Sequence, residues 1–246
     1  MSAADETRSD RLLVIIPAFN EEASLPAVLD ELYATLPAID VVVIDDGSLD
    51  RTADVARAGG AAALRLPYNL GIGGALRTGF RYGVDHGYRR AVQFDADGQH
   101  DPGEVAALVR PLADGADLVI GSRFADAESD YEVGRVRRRA MRVLGITVRV
   151  LSGQVFTDTS SGFRAFGPDA LDLFARSYPA EYMESVEALV MACASGLRVA
   201  EVPVRMRTRA GGQPSTRSFR LAYHYVRLLL VVLVTKRRAP LREATP

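Results

Sequence analysis

The chain has 246 residues, of which 48% are hydrophobic and 25% are charged, and its 30 basic and 31 acidic residues give a formal net charge of −1. This is the composition of a globular protein with enough chain for a large core, and the balanced charge argues against a nucleic-acid partner. A single cysteine, Cys193, excludes an internal disulfide and favours a reducing compartment. The polar residues 1–10 lack the apolar stretch of a targeting signal, so we expect a disordered lead-in there.

Strand and helix patterns alternate along the first half of the chain. Continuous apolar runs predict buried strands, and apolar residues three or four positions apart predict helices. In chain order, we predict strands over 12–16, 41–44, 64–66, 91–94 and 118–121 and helices over 21–36, 50–58, 73–86 and 102–112. This alternation predicts an α/β fold in which a mostly parallel central sheet carries helices on both faces.

The second half of the chain has a different pattern. We predict a glycine-containing turn over 158–166, an apolar helix over 186–193, a strand over 199–204 and a loop over 209–217. Before them, four arginines at helical spacing share one face: Arg135, Arg138, Arg139 and Arg142. That face is either a solvated basic surface or an anion site, because clustered guanidinium groups bind phosphate in bidentate fashion. The absence of repeats and linkers indicates one continuous domain.

An apolar tract near the C-terminus, 221–235, is interrupted by His224 and Arg227. As a helix it would be about 22 Å long, short of the roughly 30 Å of a bilayer core. Basic residues bracket it, so the expected helix over 218–238 either packs in the protein or lies on a membrane surface, and 239–246 form a tail.

Three polar clusters directly follow predicted strands, at Asn20-Glu21, Asp45-Asp46 and Asp95 to Asp97. Ligands of open α/β sheets bind at the carboxyl ends of the strands. We therefore expect the three clusters to converge on one crevice.

The most informative of these clusters is the hexapeptide that runs from Asp95 to His100. Asp95, Asp97 and the amide oxygen of Gln99 form a set of hard oxygens suited to Mg²⁺ or Mn²⁺, and Gly98 permits the turn that brings them together. A nucleotide diphosphate would supply the further oxygens that such an ion needs. The alternative is a solvated acidic turn. His100 either binds the metal or a phosphate, or orients Asp97.

A second glycine-containing segment, with Gly71, Gly73 and Gly74, precedes a predicted helix. It either cradles a phosphate at the helix N-terminus or only forms a tight turn.

An ordered set of motifs covers residues 12–217, nearly the whole chain. They are Pro17-Ala18-Phe19-Asn20-Glu21-Glu22, Asp45-Asp46-Gly47-Ser48-x-Asp50-x-Thr52, Asn69-x-Gly71-x-Gly73, Asp95-Ala96-Asp97-x-Gln99-His100-x-Pro102, Gly121-Ser122-Arg123, Ser161-Gly162-Phe163-Arg164, Glu201-Val202-Pro203 and the loop from Arg209 to Ser215. Together they resemble the inverting family 2 glycosyltransferases, in particular the dolichyl-phosphate mannosyltransferase-like or polyprenyl-phosphate glycosyltransferase branch. The resemblance implies a GT-A fold, with a Rossmann-like nucleotide-binding half and an acceptor side, as a single domain over 11–217.

The same resemblance implies roles for individual residues. Pro17, Phe19 and Glu21 would line the nucleoside pocket, Asp46 would hold the nucleobase or ribose, and Ile44 would contact it. Asp95, Ala96, Asp97 and Gln99 would hold the metal and the sugar-diphosphate, with Gly73 nearby. Arg123 and Arg138 or Arg139 would contact the acceptor phosphate, and Arg209 with Ser215 or Arg217 would close over the diphosphate. Two departures are Gly98, where the family usually has leucine, and Arg217, which would replace a lysine of the closing loop.

The implied reaction is metal-dependent, inverting transfer of a hexose, mannose or glucose, from a GDP- or UDP-sugar to a polyprenyl phosphate. The implied setting is the cytoplasmic face of the cell membrane, with a membrane-protein partner as a further possibility. An alternative acceptor is a sugar hydroxyl, which needs a general base, for which Asp158, Glu184 and Glu187 are candidates. A second alternative is a non-catalytic protein that binds nucleotide sugars.

Overall fold

A seven-stranded sheet organises the computed structural model, which describes residues 11–125, 145, 148–149, 153–179 and 184–207. The strands are β1 (Leu12–Ala18), β2 (Ile39–Asp45), β3 (Ala62–Arg65), β4 (Arg90–Gln93), β5 (Leu118–Ser122), β6 (Arg164–Phe166) and β7 (Val199–Pro203). The helices of the described residues are α1 (Leu25–Thr35), α2 (Thr52–Ala58), α3 (Ile72–Asp85), α4 (Val105–Ala113), α5 (Pro168–Arg176) and α6 (Glu184–Ala194), with a 3₁₀ turn at Pro102–Glu104 before α4.

The strands lie in the order β3-β2-β1-β4-β6-β5-β7, and all neighbours are parallel except those of β6. The prediction of a mostly parallel α/β sheet is confirmed. The predicted turn over 158–166 was wrong in its last three residues, because Arg164–Phe166 form the antiparallel strand β6 between β4 and β5. Helix α5 follows β6 at a place where we predicted no element.

Helices cover both faces of the sheet, as predicted. On one face, α1 and α4 bury apolar side chains such as Leu29 and Leu108 against Val14 and Val92. On the other face, α3 and α5 pack residues such as Phe80 against the opposite side of the same strands. A strand that is buried on both faces has a continuous apolar sequence, which is why these runs could be predicted without any alternation.

The end of β1 and the start of α1 differ from the predicted bounds. β1 continues through Pro17 to Ala18, because its pairing with β4 ends at Ile15 and the missing N–H of Pro17 removes no ladder bond there. α1 starts at Leu25, later than predicted, and the N–H groups of Glu21 and Glu22 before it donate to the side chains of Thr52 and Asp50.

Within the described part of the chain, no helix combines the length and apolar character that a membrane span requires. Several predictions fall outside the described residues: the segments 1–10, 218–238 and 239–246, and the side chains of Arg135, Arg138, Arg139, Arg142, Arg209, Ser215 and Arg217.

Candidate active site

The carboxyl ends of β1, β2 and β4 lie side by side, because the three strands are adjacent and parallel. Hydrogen bonds join the first two polar clusters: the Asn20 N–H donates to Ser48 Oγ over 2.9 Å, and the Leu49 N–H donates to Asn20 Oδ1 over 2.8 Å. Asn20 has a φ of 56°, a left-handed conformation that asparagine tolerates. The convergence of the clusters on one edge of the sheet, predicted from the sequence, is confirmed.

Asp46, directly after β2, fixes the loop that precedes α3. Its two carboxylate oxygens accept the N–H groups of Leu70 and Gly71 over 2.7 and 2.9 Å. Burial raises the pKa of Asp46, and the neighbouring Asp45 raises it further, although the two backbone hydrogen bonds oppose this. Asp46 is 4% exposed, and its two hydrogen bonds hold this loop in place. Its contact with a nucleobase or ribose stays a prediction.

The other residues predicted for the nucleoside pocket lie in β1, in β2, in the loop after β1 and in the first turn of α3. Phe19 is 44% exposed at the edge of the crevice, whereas Ile44 is fully buried in β2. Pro17 and Glu21 are half-buried, and the Glu21 carboxylate accepts a hydrogen bond from the Ser24 hydroxyl. Gly73 is buried in the first turn of α3, close to the loop that Asp46 holds.

The acidic turn follows β4, with Gly98 in a left-handed conformation at φ 76°. Asp97 is 7% exposed, and its Oδ1 accepts the Gln99 N–H over 3.0 Å, which closes the turn. Asp95 is half-buried, and its Oδ1 is a buried atom without a hydrogen-bond partner among the described residues. Ala96, between the two aspartates, is buried.

His100 lies beneath this turn and is 3% exposed. Its Nδ1 accepts the Asp95 N–H over 3.0 Å, and its Nε2 is 3.5 Å from Asp95 Oδ2. Burial lowers the pKa of His100, as does Arg123, and this outweighs the opposite effect of Asp95 and Asp97. The hydrogen bond from the Asp95 N–H occupies the lone pair of Nδ1, and a neutral ring then carries its proton on Nε2. His100 therefore contacts Asp95, whereas we predicted that an orienting histidine would act on Asp97.

The acidic turn suits a divalent cation only if a ligand completes the coordination. Among the described residues, no group of three or more histidine, cysteine, aspartate or glutamate side chains is arranged to hold a metal ion. The turn offers the two carboxylates of Asp95 and Asp97 and the amide of Gln99. A cation would satisfy the buried Asp95 Oδ1, which has no hydrogen-bond partner among the residues that the structure describes. Ions of the Mg²⁺ type are commonly held by one or two carboxylates together with phosphate oxygens.

Arg123 follows β5 and forms a bidentate ion pair with Asp158. Its Nε is 2.6 Å from Oδ2 and its Nη2 is 2.9 Å from Oδ1, and Nη2 also donates to Ser160 Oγ. Burial alone would raise the pKa of Asp158, but the hydrogen bonds and the charge of Arg123 outweigh it and hold the pKa below its ordinary value. A fully buried, ion-paired carboxylate of this kind is a poor general base, which counts against Asp158 among the three candidates.

A second arginine, Arg164 on β6, was given no individual role from the sequence. It is fully buried, and its Nε donates to the Ser161 carbonyl over 2.9 Å, while its Nη1 has no partner among the described residues. Glu184, at the start of α6, is 8% exposed and lies within electrostatic reach of both Arg164 and Asp95. Burial raises the pKa of Glu184, and burial also raises the pKa of the half-buried Glu187. The sequence pattern that could have indicated the burial of Arg164 is its position in the otherwise apolar segment 162–166.

Comparisons with known proteins agree with this geometry. Residues 13–174 match the family model described as Glycosyl transferase family 2. An undecaprenyl-phosphate mannosyltransferase from Micrococcus luteus is 35% identical over 211 residues, which cover 82% of this chain and 86% of that protein. A polyprenol monophosphomannose synthase from Mycolicibacterium smegmatis is 32% identical over 218 residues, which cover 83% and 80%.

A solved structure supports the fold. Glucosyl-3-phosphoglycerate synthase from Mycobacterium tuberculosis, in complex with Mn²⁺, uridine diphosphate and phosphoglyceric acid, matches with a TM-score of 0.69 and 23% sequence identity. The match covers 96% of this chain and 82% of that one, and at this identity it shows the GT-A fold alone. The family match spans more than half of the chain, and both relatives exceed 30% identity, so the chain belongs to glycosyltransferase family 2.

Proposed function

We propose that this glycosyltransferase transfers a hexose, with mannose favoured over glucose, from a GDP- or UDP-sugar to a polyprenyl phosphate with inversion at the anomeric carbon. The named relatives support a polyprenyl-phosphate acceptor and mannose. The acidic turn supports a nucleotide-diphosphate donor, because its two carboxylates and one amide need the oxygens of a diphosphate to complete a cation site.

In the proposed reaction, an oxygen of the lipid phosphate forms a bond to the anomeric carbon as the bond from that carbon to the donor diphosphate breaks. The electron pair of the broken bond stays on the departing diphosphate. Mg²⁺ or Mn²⁺ held by Asp95, Asp97 and Gln99 would supply positive charge at that leaving group. Arg209, with Ser215 or Arg217, would add donors to the diphosphate, and Arg138 or Arg139 would join Arg123 at the acceptor phosphate.

The ion pair between Arg123 and Asp158 is the observation that carries the choice of acceptor. A sugar hydroxyl must lose a proton to a base, and this pair withdraws Asp158 from that task. A lipid monophosphate is anionic at neutral pH and needs no base, but it needs positive charge beside a second anion. Arg123, directly after β5, provides a guanidinium group of fixed orientation on the side of the sheet away from Asp46. Because Asp158 balances its charge, the additional positive charge would come from Arg138 or Arg139.

A lipid acceptor places the reaction at a membrane. We propose that the chain works as a peripheral protein on the cytoplasmic face, that 11–217 form its catalytic domain, and that the apolar segment 218–238 contacts the membrane surface. A membrane protein that uses or translocates the product would be its natural partner.

The test is a transfer assay with purified protein and Mg²⁺ or Mn²⁺. A panel of radiolabelled GDP- and UDP-hexoses is offered with a polyprenyl phosphate and, separately, with simple sugars. We expect label from one donor to enter the organic phase, and we expect chelation by EDTA to abolish transfer. Label that enters only water-soluble products would overturn the lipid acceptor while leaving the donor site intact.

One observation favours a sugar-hydroxyl acceptor as the second candidate. Glu184 is buried near Asp95 with a raised pKa, which is a property of general bases. Glu184→Gln separates the two functions, because it would abolish transfer to a hydroxyl and leave most of the transfer to a phosphate. Glu187→Gln is a matched control on the same helix, since Glu187 is only half-buried.

A further inference from the structure

His100 makes two contacts with one neighbouring aspartate. Its Nδ1 accepts the backbone N–H of Asp95 over 3.0 Å, and its Nε2 is 3.5 Å from the Oδ2 of the same residue. One ring therefore faces both the main chain and the carboxylate of Asp95. The second carboxylate oxygen, Oδ1, is the buried atom that no described residue satisfies.

The imidazole ring is itself held from two sides. It stacks on Phe163 with ring centroids 4.5 Å apart and an angle of 20°, and it meets Phe94 edge-on at 5.3 Å. Arg164 fixes the segment that carries Phe163, because its guanidinium donates to the carbonyls of Ser161 and Thr159 over 2.9 and 3.3 Å. The orientation of the ring thus depends on packing that lies wholly beneath the acidic turn.

The direction of the hydrogen bond from the Asp95 N–H to Nδ1 determines which nitrogen of the ring can donate. Because Nδ1 accepts from a backbone N–H, the neutral ring carries its proton on Nε2, which then points towards Asp95 Oδ2. If Nε2–H faces Oδ2 of Asp95, the other carboxylate oxygen, Oδ1, remains for a further ligand. Residues that orient a metal-binding carboxylate in this way commonly change metal affinity 10–100-fold when they are replaced.

We propose that His100 is a positioning residue that presets the Asp95 carboxylate for the divalent cation and is not itself a ligand. This inference rests on the metal site of the proposed function. The backbone contact to Nδ1 is the shorter of the two and fixes where the turn leaves β4, and the contact to Nε2 selects which carboxylate oxygen faces the cation.

Mn²⁺ affinity tests the role without any turnover. Free Mn²⁺ is titrated by electron paramagnetic resonance against the full chain in the presence of UDP and, separately, GDP. His100→Phe keeps an aromatic ring between Phe94 and Phe163 but removes both nitrogens. His100→Asn keeps an acceptor near the position of Nδ1. His86→Phe is the matched control, because His86 lies at the far end of α3, stacked on Tyr82.

We expect His100→Phe to weaken Mn²⁺ binding at least ~10-fold with an unchanged circular dichroism spectrum, His100→Asn to bind more tightly than His100→Phe, and His86→Phe to match the wild type. Equal Mn²⁺ affinity of His100→Phe and wild type would overturn the proposal. His100→Asn binding no better than His100→Phe would overturn it too, since an acceptor near the position of Nδ1 would then contribute nothing to Mn²⁺ binding.

Misfolding of a variant and failure of the metal site can each be distinguished from failure of the proposed role of His100. If His100→Phe does not fold, His100→Leu replaces it, because leucine also removes both nitrogens, and we expect weak Mn²⁺ binding again. If the wild type itself binds no Mn²⁺ with either nucleotide, the metal site of the proposed function fails, which differs from a failure of His100 alone.

Discussion

Removing the charge of Arg123 should destabilise the protein, because the buried carboxylate of Asp158 would lose its counter-ion. Asp158 is fully buried and the Arg123 side chain is 12% exposed, so the pair is shielded from water and its energetics need little discount for solvent screening. Breaking a buried ion pair by removing one partner costs about 3–5 kcal/mol, because a buried charge is left uncompensated. For a chain of this size, that corresponds to a fall in melting temperature of about 6–20 °C. Arg123→Met retains much of the apolar stem of the side chain.

The pH dependence of that loss has a definite sign. In the wild type, the pKa of Asp158 is below its ordinary value, so the stabilisation is fully present above the unfolded-state pKa of about 3.9 and is lost as the pH falls through the folded-state pKa. In Arg123→Met, burial is no longer opposed and the folded-state pKa of Asp158 rises. The difference in free energy of unfolding should therefore be largest near neutral pH and shrink in acid.

Urea unfolding at several pH values, followed by circular dichroism, measures this difference. Arg123→Met combined with Asp158→Asn is the matched control, because the double variant removes the buried charge and should recover much of the loss. A loss for Arg123→Met below about 1 kcal/mol at neutral pH, the level of an exposed pair, would refute the reasoning. So would a loss that is independent of pH.

Two further predictions concern the crevice. Asp97→Ala should lower the rate of transfer at least about 100-fold, in line with the loss of a group that stabilises the transition state, while circular dichroism shows the fold retained; activity near the wild-type rate would contradict the metal assignment. Asp46→Asn replaces one of two acceptor oxygens with a donor that faces a backbone N–H, so it should cost about 1–3 kcal/mol of stability and raise the KM for the donor. An unchanged KM for the donor and an unchanged melting temperature would show that the loop at Leu70 does not depend on this carboxylate.

The sequence determined the parallel core of the fold. Runs such as 12–16 and 41–44 are apolar throughout because both faces of their strands are buried, and the polar residues that end them mark the carboxyl edge of the sheet. Since adjacent parallel strands end at the same edge, these local signals also predicted where the polar clusters meet. The ordered motifs correctly indicated the family, which the family match and the named relatives show.

Only the tertiary structure decided which charged residues pair and which strand runs antiparallel to its neighbours. β6 has three residues, too few for any periodicity, and its antiparallel place comes from pairing with β4 and β5 on either side. Asp158 pairs with Arg123 across 35 positions of sequence, which changes a candidate base into a buried counter-ion. His100 contacts Asp95 because the turn at Gly98 folds it beneath the strand. Local sequence sets the propensity of each segment, but the state of a buried charge depends on partners that only folding brings within hydrogen-bonding distance.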